Sequence, residues 1–414
     1  MTDTRRHVVV TGIGAVTPIG SGAAGLYDGL RRERSAIGLI TRFDAAPFNC
    51  RVAGEVSGFD PGAFIEPRRL RRLDRYAQFA LACARMAIDD AGLRLEDEDH
   101  DAIGCFVGSA LGGAAFAEEQ NVVFLNQGVR RIRPTLALSV FCGAASCNIA
   151  IEHDLRGPSS GNSDSCSSGA IAIGQAFRTV RDGYADLMVA GGVEVPLAPL
   201  TFGAFDVIRA MSTHNDEPAR ACRPFDQTRN GFVMAEGGAL LVLEEREHAR
   251  RRGAAVYGAV LGFGASNDAH HMTAPLPSGT QAARAMRLAL AEAGVAAEEV
   301  DYVNAHGSGT PLNDSTETLA IKQVLGEHAY RVPVSATKAM HGHALGATGA
   351  IEAASCFLSL RHGYVPPTLN LETPDAACDL DYVRDRGREM PLRRILSNSF
   401  GFGGINASLV FGAA

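Results

Sequence analysis

Cys166 stands in GNSDSCSSGAIAIG, where a polar, irregular run gives way to small residues. That change predicts a helix opening at the cysteine. A thiol at a helix N-terminus feels the positive end of the helix dipole, which favours the thiolate. Two histidines occupy comparable positions. His306 follows the apolar run of YVNAHGSGTPLND and is followed by glycines that let a substrate come close, and His343 shares the loop VSATKAMHGHALGATG with Lys338. Towards the C-terminus, SNSFGFGGINASLVF sets a glycine-rich turn between two strand-like segments. Backbone N–H groups of such a turn can converge on one oxygen.

One thiol with two imidazoles suits a nucleophile that takes up a carbonyl group and a developing oxyanion that needs two neutral donors. A cysteine protease would need one His and an orienting Asn or Asp. Zinc could be held by Cys166, His306 and His343 on residue type alone. The glycine-rich turn suits an anion, so the expectation is no metal. Basic charge is almost all arginine: Lys322 and Lys338 are the only lysines. A lysine kept in that composition points to a need for a compact, titratable ammonium.

The segments that must position these residues read as an α/β architecture. HVVVTGIGAVT, DAIGCFVGSAL and ADLMVAGGVEV are short, apolar and β-rich, with helical stretches such as LDRYAQFALACARMAIDDAGL between them. This alternation predicts mostly parallel sheets buried on both faces. The charged run LEEREHARRRGAA before VYGAVLGFGAS marks a boundary, giving halves 1–252 and 253–414. SCSSGAIAIGQAFRTV in the first half and GHALGATGAIEAASCFLSL in the second echo one another, both as small-residue helices. The halves are expected to pack as one duplicated unit.

The chain has 414 residues, 46% of them hydrophobic and 21% charged, with a net charge of −7. This is the profile of a globular enzyme and not of a disordered or nucleic-acid-binding chain. No apolar run reaches the roughly 20 residues of a membrane span. The N-terminal apolar stretch runs into a glycine turn without a cleavage site, so it reads as a first strand and no signal peptide. Nine scattered cysteines without a CxxC pair argue against a disulfide framework and point to the cytoplasm. The opening TGIGAVTPIG lacks the spacing of a dinucleotide-binding loop, and a tight turn accounts for its glycines.

Taken together, SCSSG, HGSGT, the K-x-x-x-G-H of Lys338 to His343 and NSFGFGG resemble, in order and over essentially the whole chain, the elongating β-ketoacyl-(acyl carrier protein) synthases and the ketosynthase subunits of type II polyketide synthases. The resemblance implies the thiolase-like fold, duplicated halves forming a five-layer αβαβα sandwich. It implies Cys166 as the acylated nucleophile, with the Cys166 and Phe402 N–H groups as oxyanion hole, and His306 and His343 on the malonyl thioester oxygen. Lys338 would support the histidines, with Glu317, in the loop after HGSGT, as its companion. Phe402 would swing as a gate, and Leu111, Phe205 and Phe400 would shape the acyl pocket. Arg68, Arg71, Arg72, Arg130, Arg131 and Arg209 would dock an acyl carrier protein, whose phosphopantetheine arm brings the substrates. No cofactor is implied, and the partner is a second copy or a chain-length-factor-like subunit.

Some positions depart from the fatty-acid pattern: Asp164 and Ser165 precede the cysteine, Ser308 and Ile405 replace threonines, and His341 is a third histidine in its loop. HGSGT followed by Asn313 and Asp314 and the run GEHAYRVPVSATKAM look closer to polyketide ketosynthases, while the NSFGFGG loop looks closer to the fatty-acid type; the balance favours a polyketide or polyene ketosynthase over a fatty-acid enzyme. A non-catalytic chain-length subunit would lack Cys166, and a thiolase would carry a second cysteine near the C-terminus, where none follows Phe400.

Overall fold

A computed structural model describes residues 6–413. The strands carry the repeat most clearly. In the first half they are β1 (Val8–Thr17), β2 (Ile103–Gly108), β3 (Ser159–Asn162), β4 (Leu187–Glu194) and β5 (Gly237–Glu245). In the second they are β6 (Gly258–Asn267), β7 (Tyr302–Asn304), β8 (Val334–Ser335), β9 (Arg394–Gly401) and β10 (Ile405–Gly412). The first five lie in the order β3-β2-β4-β5-β1 and the second five in the order β8-β7-β9-β10-β6, the same arrangement twice. Antiparallel pairing of Val8–Val10 in β1 with Gly258–Val260 in β6 joins them into one sheet.

The sheet is mixed, which corrects the expectation of mostly parallel strands. In each half two pairings are parallel (β2 with β3 and β4; β7 with β8 and β9). Two more are antiparallel (β5 with β4 and β1; β10 with β9 and β6). Burial on both faces gives antiparallel strands the same continuous apolar reading that parallel ones have, so hydropathy alone did not separate them.

Seven helices matter to the site: α1 (Arg75–Asp90), α2 (Ala144–His153), α3 (Ser168–Arg181), α4 (Pro199–Val207), α5 (Thr280–Ala293), α6 (Pro311–Leu325) and α7 (Thr348–His362). Helices α1 and α2 cover the outer face of the first half-sheet, α5 and α6 that of the second, and α3 and α7 lie between. Side chains alternate across the strands accordingly. In β5, Leu241 and Leu243 join the central core with Phe177 of α3 and Phe357 of α7, while Leu240 and Val242 face Phe79 and Cys83 of α1. In β10, Leu409 and Phe411 point inward and Val410 outward, towards Met286 and Ile321. Each such fully buried side chain contributes roughly 1.5–3 kcal/mol.

Helices α3 and α7 approach closely at their N-termini because small residues line the contact. A Cβ on Gly169 would sit 3.1 Å from the Ala350 Cβ, and one on Gly349 would sit 3.0 Å from the Ala170 Cβ. The backbone repeats as well. Ser165 (φ 54°) and Leu345 (φ 39°) both adopt the left-handed conformation, and each opens a single 3-10 turn that runs into α3 or α7. In the first copy the turn presents Cys166; in the second, Gly346 stands in its place.

Candidate active site

Cys166 occupies the turn Ser165–Ser167, just ahead of α3, and is 8% exposed. The left-handed Ser165, a strained conformation for a residue with a Cβ, turns the next side chain out of the helix line and into a cavity of about 340 Å³. Cys166, His306, His343, Phe205, Phe400 and Phe402 share its wall. The backbone N–H of Phe402 is directed at the Cys166 sulfur, and the Ser165 hydroxyl lies 3.9 Å from it. The expectation of a thiol favoured as thiolate needs correction. Burial pushes the Cys166 thiol up, and Ser165, the Phe402 N–H and the Lys338 ammonium oppose that push without cancelling it. The turn runs straight into α3, but it also buries the sulfur almost completely, and burial is the larger effect.

His306 leaves β7 on a loop whose shape Glu317 dictates. The His306 and Gly307 N–H groups donate to its two oxygens at 2.8 Å each, and the Asn398 amide adds a third donor at 3.2 Å. Lys338 donates to the His306 carbonyl oxygen and, at 2.7 Å, to Glu352 on α7. Here the structure overturns a sequence expectation: Glu317 lies within α6 and not in a loop, and the carboxylate paired with Lys338 is Glu352. The resemblance pointed to Glu317, whereas the folded contact runs to a helix that follows Lys338. Burial pushes both carboxyls up to about 7; the backbone donors hold Glu317 down, and Lys338 holds Glu352 down.

His343 projects from the loop after the one-turn helix Lys338–His341. Its Nδ1 lies 2.8 Å from the Thr348 hydroxyl at the start of α7. A hydroxyl donated to Nδ1 leaves the ring proton on Nε2. The two imidazole rings stand 5.4 Å apart and nearly perpendicular, at 81°. Burial first, then the Lys338 ammonium and then a neighbouring imidazole hold both well below the ordinary histidine value. Both are therefore neutral N–H donors, suited to an oxyanion. His341 is also buried, but its nitrogens face the Gly342 carbonyl (2.8 Å) and the Thr337 hydroxyl (3.1 Å). It lies outside the cavity wall and holds the loop.

A pH dependence follows. Protonation of His306 and His343 is resisted, so the acid limb of any step that uses them should fall well below 6.5. The unfolded chain takes up these protons near 6.5 while the folded protein does not, so the histidines' share of stability is lost as pH falls through that value, whereas Glu317 and Glu352, held up to about 7 in the folded protein, act in the opposite sense over the same range. Rates measured with short incubations should hold from pH 7 to 6; a rate midpoint at 6.5 in stably folded protein would contradict neutral, buried donors.

The remaining expected residues divide. Phe205, on α4, stacks on Phe402 with ring centres 6.3 Å apart. Phe400 lies 6.0 Å from His306. Leu111 is half-buried in a side cluster with Phe202 and Phe205, next to Ala110 in the cavity wall, but does not itself reach the cavity. Of the six arginines, Arg209 lines the mouth, whereas Arg68, Arg71, Arg72, Arg130 and Arg131 are exposed and lie outside the cavity wall. Arg71 connects to the 130s segment through its carbonyl, which accepts from Arg133 at 2.6 Å. Ser308 lines the cavity, its hydroxyl 2.9 Å from that of Thr310. Among the described residues, no group of three or more His, Cys, Asp or Glu side chains is arranged to hold a metal ion.

Glu352 and Glu194 had no part in the sequence reading. Glu194 ends β4 fully buried and accepts from the Ala110 N–H (2.6 Å), the Leu111 N–H (3.1 Å), the Ser109 hydroxyl (2.9 Å) and the Gly346 N–H (3.0 Å). It ties the turn carrying Leu111 to the second half. A lone carboxylate in an apolar strand or a small-residue helix was the available signal for both.

The sequence matches the family models described as "Beta-ketoacyl synthase, N-terminal domain" over residues 5–249 and "Beta-ketoacyl synthase, C-terminal domain" over residues 257–372. The chain belongs to the β-ketoacyl synthase family. It is 46% identical over 407 residues to 3-oxoacyl-[acyl-carrier-protein] synthase 2 of Synechocystis sp., covering 98% of both chains. It is likewise 46% identical over 412 residues to the putative polyketide beta-ketoacyl synthase 1 of Streptomyces halstedii, covering 98% of this chain and 97% of that one. Among solved structures, it is similar to the ishigamide ketosynthase/chain length factor (TM-score 0.93, 37% identity, 99% of this chain and 100% of that one). It is also similar to a chain of AntDE:AntF, a type II PKS acyl-carrier protein in complex with its ketosynthase bound to the hexaketide (TM-score 0.91, 35% identity, 99% and 100%). The fold is thus the thiolase-like ketosynthase fold, and the protein is an acyltransferase that condenses acyl chains as a β-ketoacyl synthase.

Proposed function

We propose that Cys166 carries the acyl chain through a two-stage condensation and that the two halves, 1–252 and 253–414, divide the labour. One observation carries this reading: the Cys166 sulfur, a backbone N–H aimed at it and two neutral imidazoles share one cavity. In the first stage the thiol gives up its proton and the sulfur attacks the thioester carbonyl of an acylated pantetheine arm. The oxyanion takes hydrogen bonds from the Cys166 and Phe402 N–H groups. The carbon–sulfur bond to pantetheine breaks, and the departing thiolate takes a proton. In the second stage a malonyl thioester loses CO₂; the electrons of the broken bond form an enolate, whose oxygen His306 and His343 stabilise by donation. The enolate carbon attacks the Cys166 thioester and the sulfur leaves with its electron pair. No step calls on a cofactor. Lys338, Glu352 and Glu317 hold the histidines, and Phe402, stacked on Phe205, is the gate.

The pathway we favour is type II polyketide or polyene assembly, with fatty-acid elongation as the alternative. Asp164, Ser165 and the 326–340 run favour the first, while relatives of both kinds are equally similar. A donor panel separates them. Polyene or β-keto acyl-carrier donors should acylate Cys166 at least as fast as saturated donors of equal length; a clear preference for saturated chains would reassign the enzyme to fatty-acid synthesis.

The partners we propose are an acyl carrier protein, docked by Arg209 and by the arginines at 68, 71, 72, 130 and 131, and a second subunit, either another copy or a chain-length-factor-like chain. Edge strand β3 supports the second subunit: it ends the sheet unpaired on one side, and Leu138 (68% exposed) and Ile151 (74%) lie on flanking segments. Among the described residues no helix is long and apolar enough to cross a membrane. The cytoplasm is the proposed location.

A further inference from the structure

Ser167 follows the nucleophile directly, is fully buried, and places its hydroxyl oxygen 2.9 Å from the Ser399 carbonyl oxygen and 2.7 Å from that of Ile405. These two carbonyls flank the segment that carries Phe400 and Phe402, at the point where β9 turns back into β10 and Gly401 pairs with Ile405. The hydroxyl has one proton and two acceptors, so it is shared across the base of this turn. The same residue is covalently attached to Cys166. The contact therefore refers the position of the Phe402 N–H directly to the sulfur. Gly401 lies close enough that a Cβ there would stand 3.1 Å from the Cys166 nitrogen, so the two N–H groups belong to one tightly packed unit. Ser168 contributes differently, donating back to the Ser165 carbonyl at 2.7 Å and bracing the cysteine turn itself.

We infer that Ser167 is a positioning residue for acyl transfer: its shared hydrogen bond pins the base of the Phe402 turn to the nucleophile's backbone and so sets the geometry of the oxyanion hole. The inference rests on the proposed roles of Cys166 and Phe402. Loss of the hydroxyl should leave the sulfur reactive but its oxyanion donor misaligned.

The test compares two reactions at the same sulfur. Attack on a thioester builds an oxyanion; alkylation by iodoacetamide does not. In Ser167→Ala the rate of Cys166 acylation from an acyl-carrier donor should fall about tenfold or more, a fraction of the 10²–10³ that follows complete loss of such a donor. Alkylation should stay within about threefold of wild type. Ser167→Thr keeps the hydroxyl and should restore the ratio of acylation to alkylation to within about threefold. A structural role alone would lower the thermal midpoint, or depress both reactions in parallel, without moving that ratio. An unchanged ratio in Ser167→Ala, or a Ser167→Thr variant with the alanine profile, overturns the inference. If wild-type protein forms no acyl adduct at Cys166, the reading of the nucleophile fails instead, and the two failures are told apart by that control.

Discussion

Cys166→Ala should form no acyl-enzyme when incubated with an acyl-carrier donor, with the rate of acyl transfer falling by on the order of 10⁴ or more, as expected when a nucleophile is removed. None of the other eight thiols lines the cavity. Cys83, Cys105, Cys222 and Cys356 are buried with thiols pushed far up, and Cys147, though exposed, lies on α2 away from the cavity. The variant should fold, because the sulfur projects into open volume and its loss creates no void in a packed core. Intact-mass measurement reads the outcome directly. An adduct of normal yield on Cys166→Ala would move the nucleophile elsewhere.

The second large effect concerns the histidines. His306→Ala and His343→Ala should each lose malonyl decarboxylation by about 10²–10³, the cost of removing one oxyanion donor, while Cys166 is still acylated to a useful extent. Acylation depends on the sulfur and on the Phe402 N–H, which lie on the cysteine turn and on the turn between β9 and β10. Enolate stabilisation depends on donors held by a separate frame, Glu317 with the His306 loop and Thr348 with His343. Labelled CO₂ release, assayed apart from acylation, separates the two. Unimpaired release in both variants would remove the histidines from this role.

What the sequence disclosed follows the range of each interaction. The cysteine turn, both histidines and the glycine-rich turn were legible because each motif is local: small residues and glycines mark where the backbone must bend or come close. The duplication was legible in the echo between 165–180 and 342–360, and the repeated strand order gives that echo its structural counterpart. Strand direction was hidden, because strands buried on both faces read alike whichever way they run. The Lys338–Glu352 pair was hidden too: lysine and carboxylate are 14 residues apart and meet only when α7 packs behind the His343 loop. The thiolate expectation failed on burial, which no local motif reports. Ser167 was in plain view within SCSSG, but its partners Ser399 and Ile405 lie more than 230 positions away.

The most direct measurement is a chase of the acyl-enzyme. Wild-type protein is loaded from an acyl-carrier donor, freed of excess donor, and given malonyl-carrier protein while intact mass is followed. The acyl adduct, mapped to the peptide containing Cys166, should disappear as a β-ketoacyl thioester two carbons longer appears on the carrier, with one CO₂ released per chain. An adduct that persists through the chase, or that leaves as free acid without a carbon–carbon bond being formed, would contradict Cys166 as the site of condensation.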